Sequence, residues 1–289
     1  MLDKTTKILM IGLGLIGGSY ADALTAAGYE VGAVDTDEHA VEYALSHGLI
    51  KSGRTVPDKD YVSSFDTVVF ALYPHIFTEW IEKYQSYLKS GAIITDVTGV
   101  KGCIVYKIQS LLRSDVEFIA AHPMAGREKS GIEYADRRIF RGANYIVTPT
   151  DKNTAGAIES CKDLGRVLGF ENISTLSPEK HDEMIAFLSQ LTHCIAVSLM
   201  TSRDTACLAE YSGDSFRDLT RIAKINDVMW SELFLDNRAA LLEQMNDFEA
   251  AFSRLKKTIE DGDRDGMREI MRRSSEQRVL FDKKEGTIK

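Results

Sequence analysis

The stretch Lys7-Ile-Leu-Met-Ile-Gly12-Leu-Gly14-Leu-Ile-Gly17-Gly-Ser-Tyr20 decides the fold. An apolar run, a glycine turn and an alanine-rich helical stretch follow one another without a gap. The three glycines have separate tasks. Gly12 allows a tight turn, Gly14 lets backbone approach a pyrophosphate, and Gly17 lets a helix pack closely on a strand. Leu15 and Ile16 lie at the helix start, where free N–H groups and the positive end of the helix dipole face an anion. A second apolar run, 31–34, ends in Asp35, eighteen residues after Gly17. A carboxylate there accepts from both ribose hydroxyls and repels a 2′-phosphate. The pattern predicts a dinucleotide site for NAD rather than NADP, with Gly12, Gly14, Leu15, Ile16, Gly17 and Asp35 around it; Arg54 lies too far along the chain to alter that. Leu72-Tyr73-Pro74 follows the run 67–71, at the strand end where cofactors lie in such sheets. Those three residues join the expected cofactor contacts, with Tyr73 either beside the adenosine half or filling a loop.

Outward from this core, strand-like runs at 7–11, 31–34, 67–71, 92–96, 117–120, 143–147 and 172–175 alternate with helical stretches. Such alternation predicts a largely parallel, doubly wound sheet with helices on both faces. The pattern changes at Ser177-Pro-Glu-Lys-His, which opens like a capped helix with proline in its first turn. Helical periodicity then covers 179–203, 215–225, 228–261 and 264–281. The expected architecture is an α/β domain over 1–176 followed by an all-α domain over 177–289, and 289 residues suit two domains.

Composition narrows the function classes. Hydrophobic residues are 44% and charged residues 27%, an ordinary globular balance. Lys+Arg is 35 against Asp+Glu 43, a net charge of −8, which argues against coating a nucleic-acid backbone. Uninterrupted apolar runs fall short of the ~20 residues that span a bilayer, so no membrane partner is expected. The N-terminus runs directly into a strand without a signal-peptide pattern. Cys103, Cys161, Cys194 and Cys207 have no paired spacing, so the expectation is a reducing, cytoplasmic setting with neither a disulfide framework nor a metal site.

Among six histidines, His39, His47, His75 and His181 read as surface or satisfied residues. His122 differs. It follows an apolar strand in Ala121-His122-Pro123-Met124-Ala125-Gly126-Arg127-Glu128, at the sheet edge where a nicotinamide would lie, and imidazole suits proton transfer near neutral pH. His193, in Leu188-Ser-Gln-Leu191-Thr-His193, is either a satisfied core histidine or a second site residue. Ile94-Thr95-Asp96-Val97-Thr98-Gly99-Val100-Lys101 brings small and hydroxyl residues to another strand end. In Ser215-Phe216-Arg217-Asp218-Leu219-Thr220-Arg221-Ile222-Ala223-Lys224, three cations recur at helical spacing, and arginine is the natural fork for a carboxylate.

Taken together, these segments resemble the prephenate/arogenate dehydrogenase family along nearly the whole chain. The resemblance rests on the ordered set Gly12-Leu-Gly14-Leu-Ile-Gly17-Gly18-Ser19, His122-Pro-Met-Ala-Gly126-Arg-Glu128-Lys-Ser-Gly131, Leu191-Thr-His193 and Phe216-Arg-Asp-Leu-Thr-Arg221-Ile-Ala. It implies a Rossmann domain and a helical dimerisation domain, hence a homodimer. It implies NAD-dependent oxidative decarboxylation of prephenate to 4-hydroxyphenylpyruvate, carbon dioxide and NADH, in tyrosine biosynthesis. The alternative is the same chemistry on arogenate, giving tyrosine directly. By the same resemblance His122 is the catalytic histidine, which accepts the proton of the substrate's ring hydroxyl. His193 is the second active-site histidine, and Arg221 binds a substrate carboxylate. Glu128 helps organise the polar network, and Arg217 lies near the entrance. Arg127 stands where some members carry a small hydroxyl residue, and either clamps the substrate's side-chain carboxylate or pairs with Glu128.

Thr98-Gly99 departs from the family's Gly-Ser, whose serine helps orient the histidine and the nicotinamide. Thr98 is expected to supply that hydroxyl from one residue earlier. The two domains fill the 289 residues, so neither a fused mutase nor inhibition through an ACT domain is expected. Two other classes fit less well. The 3-hydroxyacid and imine reductases carry a lysine or acid where this chain has His193, and an NAD(H)-sensing regulator needs a binding module that the sequence does not display.

Overall fold

The computed structural model describes residues 2–127, 129–204 and 207–282. The chain divides into two compact units, Met1–Asn237 and Arg238–Lys289.

In the first unit, β1 (Lys7–Ile11) leads through the glycine turn into α1 (Leu15–Ala26). There follow β2 (Glu30–Val34), α2 (Glu38–Ser46), β3 (Ser52–Arg54), α3 (Lys59–Val62), β4 (Thr67–Phe70), α4 (Pro74–Tyr84), β5 (Ile93–Asp96), α5 (Val105–Leu111) and β6 (Glu117–Phe118). These six strands pair in parallel in the order β3-β2-β1-β4-β5-β6. Strand side chains alternate between faces, and both faces are covered. Ile8 and Met10 therefore enter one core beside Tyr20 and Leu24 of α1, while Leu9 and Ile11 enter the other beside Phe77 and Ile81 of α4. The strand order reverses between β1 and β4, so a crevice opens at their C-terminal ends.

The remaining strands depart from the expected single sheet. The run predicted over 117–120 breaks at Ile119, and β7 (Ala120–Met124) leaves the main sheet. It pairs antiparallel with β8 (Asn144–Thr148), which after α6 (Ala155–Leu168) pairs in parallel with β9 (Asn172–Thr175). β3 was not expected, because Ser52-Gly-Arg54 has no apolar run. It holds the sheet edge through backbone pairing with β2.

Helices take over at Ser177, which caps α7 (Pro178–Ile185) by accepting from the Lys180 N–H. A π-helical turn, Ala186–Gln190, joins α7 to α8 (Leu191–Thr201). α9 (Asp214–Thr220) tightens into a 3-10 turn at Arg221–Ala223, and α10 (Asp227–Asp236) follows. The segment Pro178–Thr201 is long and apolar enough to span a bilayer by length and composition alone, a feature that counting uninterrupted apolar runs had not shown. Within it, His181, Asp182 and Gln190 are buried and hydrogen-bonded to other parts of the first unit.

The helix predicted over 228–261 breaks at Asn237. Its buried amide leaves the helix to donate to the Asp182 carbonyl at 2.9 Å and to Gln190 Oε1 at 2.8 Å. The second unit is a helical hairpin of α11 (Arg238–Glu260) and α12 (Arg264–Val279), turned at Gly262 and capped by Asp263.

Candidate active site

The glycine turn is shaped by contacts that only missing side chains permit. Gly12 sits at φ 96°, and a Cβ there would lie 2.5 Å from the Ala71 carbonyl oxygen at the end of β4. A Cβ on Gly17 would lie 2.0 Å from the Gly12 carbonyl oxygen, so glycine is required for α1 to approach β1. Gly14 is different. It is the N-cap of α1 with no side-chain cap, and nothing lies within 4 Å of the position its Cβ would take. Gly14 thus leaves open space at the start of α1, and the first amides of a helix, here from Leu15 and Ile16 onward, favour an anion.

Asp35, just past β2, accepts the Leu13 N–H at 2.6 Å and the Asp37 N–H at 2.8 Å, which holds its carboxylate beside the turn. Arg54 is Asp35's neighbour across the sheet, since the Asp35 N–H bonds its carbonyl at 3.1 Å. Its guanidinium turns away, lying 4.7 Å over the Tyr61 ring and donating to the Gly53 carbonyl. Leu72 packs over Gly12, Tyr73 is the N-cap of α4, and Pro74 is that helix's first residue.

Beside this crevice, β5 and β7 are tied by a buried ion pair. Asp96 and Lys101 are both fully buried, with Lys101 Nζ 2.7 Å from Asp96 Oδ2. The ammonium also donates to the Ala121 carbonyl at 2.6 Å, and Asp96 Oδ1 accepts the Ala121 N–H at 3.1 Å. Ala121 is thus held on both backbone groups, which fixes the next residue, His122. The histidine does not follow a strand end, as expected, but stands in the middle of β7 opposite Ile146. It still reaches the sheet's C-terminal edge, because the position of a Cβ on Gly99, in the loop after β5, is 4.0 Å from its Nε2.

Thr98 is not the hydroxyl that orients His122. Its Oγ1 is buried against Asp96 Oδ2 and the Val100 carbonyl and receives Lys101 Nζ at 3.2 Å, so it serves the ion pair. The partner of His122 is His181, whose Nε2 lies 2.9 Å from His122 Nδ1. The same histidine bonds Asp182 Oδ1 through its Nδ1 at 2.8 Å. Asp182 in turn accepts the backbone N–H groups of Lys101 and Gly102 at 2.8 and 2.7 Å. Burial, the facing His181 ring and the Lys101 charge hold His122 well below the ordinary histidine range. Burial also lowers His181, against the pull of Asp182. Reading His181 as satisfied fits, but its place in the site was missed.

α10 gathers the rest. Trp230 stacks on His193 with ring centroids 3.7 Å apart, and His193 Nδ1 donates to the Ser189 carbonyl at 2.8 Å. The Leu233 side chain lies 3.5 Å from the Gly99 Cβ position, which is also 4.0 Å from His122 Nε2. Glu232 accepts both the backbone and the ring N–H of His75 at the start of α4, at 3.0 and 2.8 Å. The turn beginning at Arg221 packs on α8, the helix that carries His193. Arg217 is exposed and bonds Asp214 and the Ser212 carbonyl. Arg127 pairs with Asp136 at 3.2 Å and lines an open cavity of about 610 Å³ with Arg137, Arg138 and Arg141. Glu128 lies outside the described residues. His181 and Trp230 carried no sequence signal beyond ordinary helix positions, because their partners are distant in the chain.

With this geometry in view, likeness to known proteins is informative. The sequence model of the prephenate dehydrogenase nucleotide-binding domain matches residues 20–171, and that of its dimerization domain matches 177–273. The chain is 29% identical to prephenate dehydrogenase of Bacillus subtilis over 92% of this chain and 74% of that one. It is 30% identical to cyclohexadienyl dehydrogenase of Zymomonas mobilis over 95% of each. The structure of Aquifex aeolicus prephenate dehydrogenase in complex with hydroxyphenyl propionate and NAD+ superimposes with a TM-score of 0.88 at 29% identity, covering 97% of this chain and 99% of that one. Two family domains in sequence order, over a parallel nucleotide-binding sheet followed by helices, establish that the chain belongs to the prephenate dehydrogenase family of oxidoreductases.

Proposed function

We propose that this protein catalyses the NAD-dependent oxidative decarboxylation of prephenate to 4-hydroxyphenylpyruvate, as a homodimer. The observation that carries this reading is the placement of His122. A half-buried imidazole, held uncharged by its surroundings, stands at the C-terminal edge of β5, and β5 neighbours β4 at the nucleotide crevice.

The residues of the crevice fit NAD. Gly14 leaves room for a pyrophosphate against α1, and Asp35 is held where ribose hydroxyls would lie. Arg54, the cation nearest Asp35 in the sheet, is stacked on Tyr61 rather than presented to a 2′-phosphate. Leu72 packs against the glycine turn, and Tyr73 and Pro74 open α4 at the end of β4. Bound NAD supplies the acceptor for the hydride that leaves the hydroxyl-bearing ring carbon. His122 takes the proton of that hydroxyl, the electrons of the breaking bond to the carboxylate pass through the ring to the oxygen, and that oxygen regains the proton from His122. Carbon dioxide leaves, and aromatisation makes the step irreversible. Arg221 anchors a carboxylate and His193 adds a second imidazole, while Arg127, paired with Asp136, and Arg217, exposed on α9, act at most from the approach to the site. Thr98 acts at one remove, through the Asp96–Lys101 pair.

A second reading, arogenate as substrate, is supported by the family's including an arogenate dehydrogenase, that of Synechocystis. A steady-state assay of prephenate and arogenate, each with NAD and NADP, tests both. The expected result is the highest kcat/KM with prephenate and NAD. A preference for arogenate replaces the first reading with the second, and no reduction of either cofactor with either substrate rejects both.

A further inference from the structure

We propose that His181 and Asp182 are positioning residues that hold His122 in the Nδ1–H form and so present a bare Nε2 to the substrate. The inference follows from which groups can only donate. Backbone N–H groups of Lys101 and Gly102 donate to the two oxygens of Asp182, so this side chain acts as an acceptor. The 2.8 Å bond from His181 Nδ1 to Asp182 Oδ1 then places a proton on His181 Nδ1. A neutral imidazole with Nδ1 protonated accepts at Nε2. The 2.9 Å contact between His181 Nε2 and His122 Nδ1 therefore places the proton on His122 Nδ1. His122 Nε2 is left with its lone pair, 4.0 Å from the position that a Cβ on Gly99 would take.

The surroundings support the premise that both rings are neutral. Burial lowers each histidine, and the Lys101 ammonium opposes a positive charge on both. When His122 gains a proton at Nε2, charge develops across its ring, and the bond from its Nδ1–H to His181 strengthens. The Asp182 carboxylate lies at the far end of the chain to balance that charge, and charge-assisted bonds of this kind are about twice as strong as neutral ones. The arrangement uses the orientation logic of a base held by a second group that is itself held by a third.

This inference rests on His122 being the base of the proposed reaction, yet its first test needs no substrate. In full-length protein labelled with 15N-histidine, long-range 1H–15N spectra distinguish the two neutral forms, and comparison with His122→Gln assigns the signals. The expected result at pH 7.5 is that His122 and His181 are both protonated at Nδ1 and bare at Nε2. A His122 signal protonated at Nε2 overturns the proposal, whatever the enzyme's substrate. The second test is kinetic. His181→Gln keeps an acceptor facing His122, and His181→Leu removes it. We expect His181→Leu to lower kcat roughly 10- to 10³-fold with KM and cofactor Kd within about twofold, and His181→Gln to recover much of the loss. Equal kcat in wild type and both variants contradicts the proposal. The wild-type spectrum decides the matter alone if the variants do not fold. If the spectrum is as expected but prephenate is not oxidised, the reading of function fails and the positioning stands.

Discussion

Three influences disfavour a positive charge on His122: burial first, then the facing ring of His181, then the Lys101 ammonium. A base must be unprotonated to act, so a lowered pKa extends activity to the acid side. The expected pH profile of kcat/KM is flat down through 6.5 and falls only below the ordinary histidine range; an acid limb centred at or above 6.5 would count against this electrostatic account. Gly99→Ser is a sharper probe of the same atom. Its Cβ would meet Leu233 at ordinary contact distance, 3.5 Å, and its hydroxyl would come within reach of His122 Nε2. Because His181 already holds the ring from the other side, we expect kcat to change less than about threefold; a gain of tenfold or more would show that the ring lacks orientation in the native protein. Arg221→Ala is expected to raise KM for prephenate with less effect on kcat, since a carboxylate anchor acts on ground and transition states alike. Unchanged KM would remove Arg221 from the substrate site. At this scale His122 was legible because an imidazole beside a strand-end apolar run and a Pro–Gly turn is unusual. His181 was not, because its position reads as the first turn of a capped helix, and its partner lies 59 residues away.

The glycine turn separates folding from binding at the level of elements. Gly17→Ala puts a Cβ 2.0 Å from the Gly12 carbonyl oxygen, and backbone cannot yield cheaply, so a loss of about 1–3 kcal/mol of stability is expected together with weaker NAD binding. Gly14→Ala meets nothing within 4 Å and keeps a φ of −67°, open to any residue. Its Tm is expected to stay within about 2 °C while the Kd for NAD rises at least tenfold. Thermal melts with calorimetric titration check both, and unchanged NAD affinity in Gly14→Ala would place the cofactor elsewhere. The βα alternation was readable because both faces of the main sheet are buried, which writes long apolar runs into its central strands. Two features were not. β3 is an edge strand without an apolar run, and the helix break at Asn237 is set by a buried amide reaching Asp182 and Gln190, far away in sequence.

Two properties belong to the whole molecule. The helical hairpin of the second unit leaves Phe252 and Ile259, one heptad apart on α11, about 60% exposed, an apolar stripe of the kind that subunit interfaces cover. Phe252→Asp with Ile259→Asp is expected to turn a dimer into a monomer in sedimentation velocity; a dimer that survives both charges assembles through another face. Stability should also depend on pH. His122 and His181 titrate lower in the folded chain than the ordinary 6.5. The unfolded chain therefore binds more protons in this window, so their contribution is fully present above about pH 6.5 and is lost as pH falls towards the folded values. Chemical denaturation at pH 7.5 and 5.5 should show the lower stability at 5.5, with a smaller difference in His181→Leu.

The central claim, that His122 is the base for NAD-dependent oxidation of prephenate, is tested most directly by measuring NADH formation from prephenate and NAD with the wild-type protein and His122→Asn side by side. The account predicts turnover by the wild type, a kcat about 10²- to 10⁴-fold lower in the variant, and an unchanged Kd for NAD. A variant with near-normal kcat would contradict it.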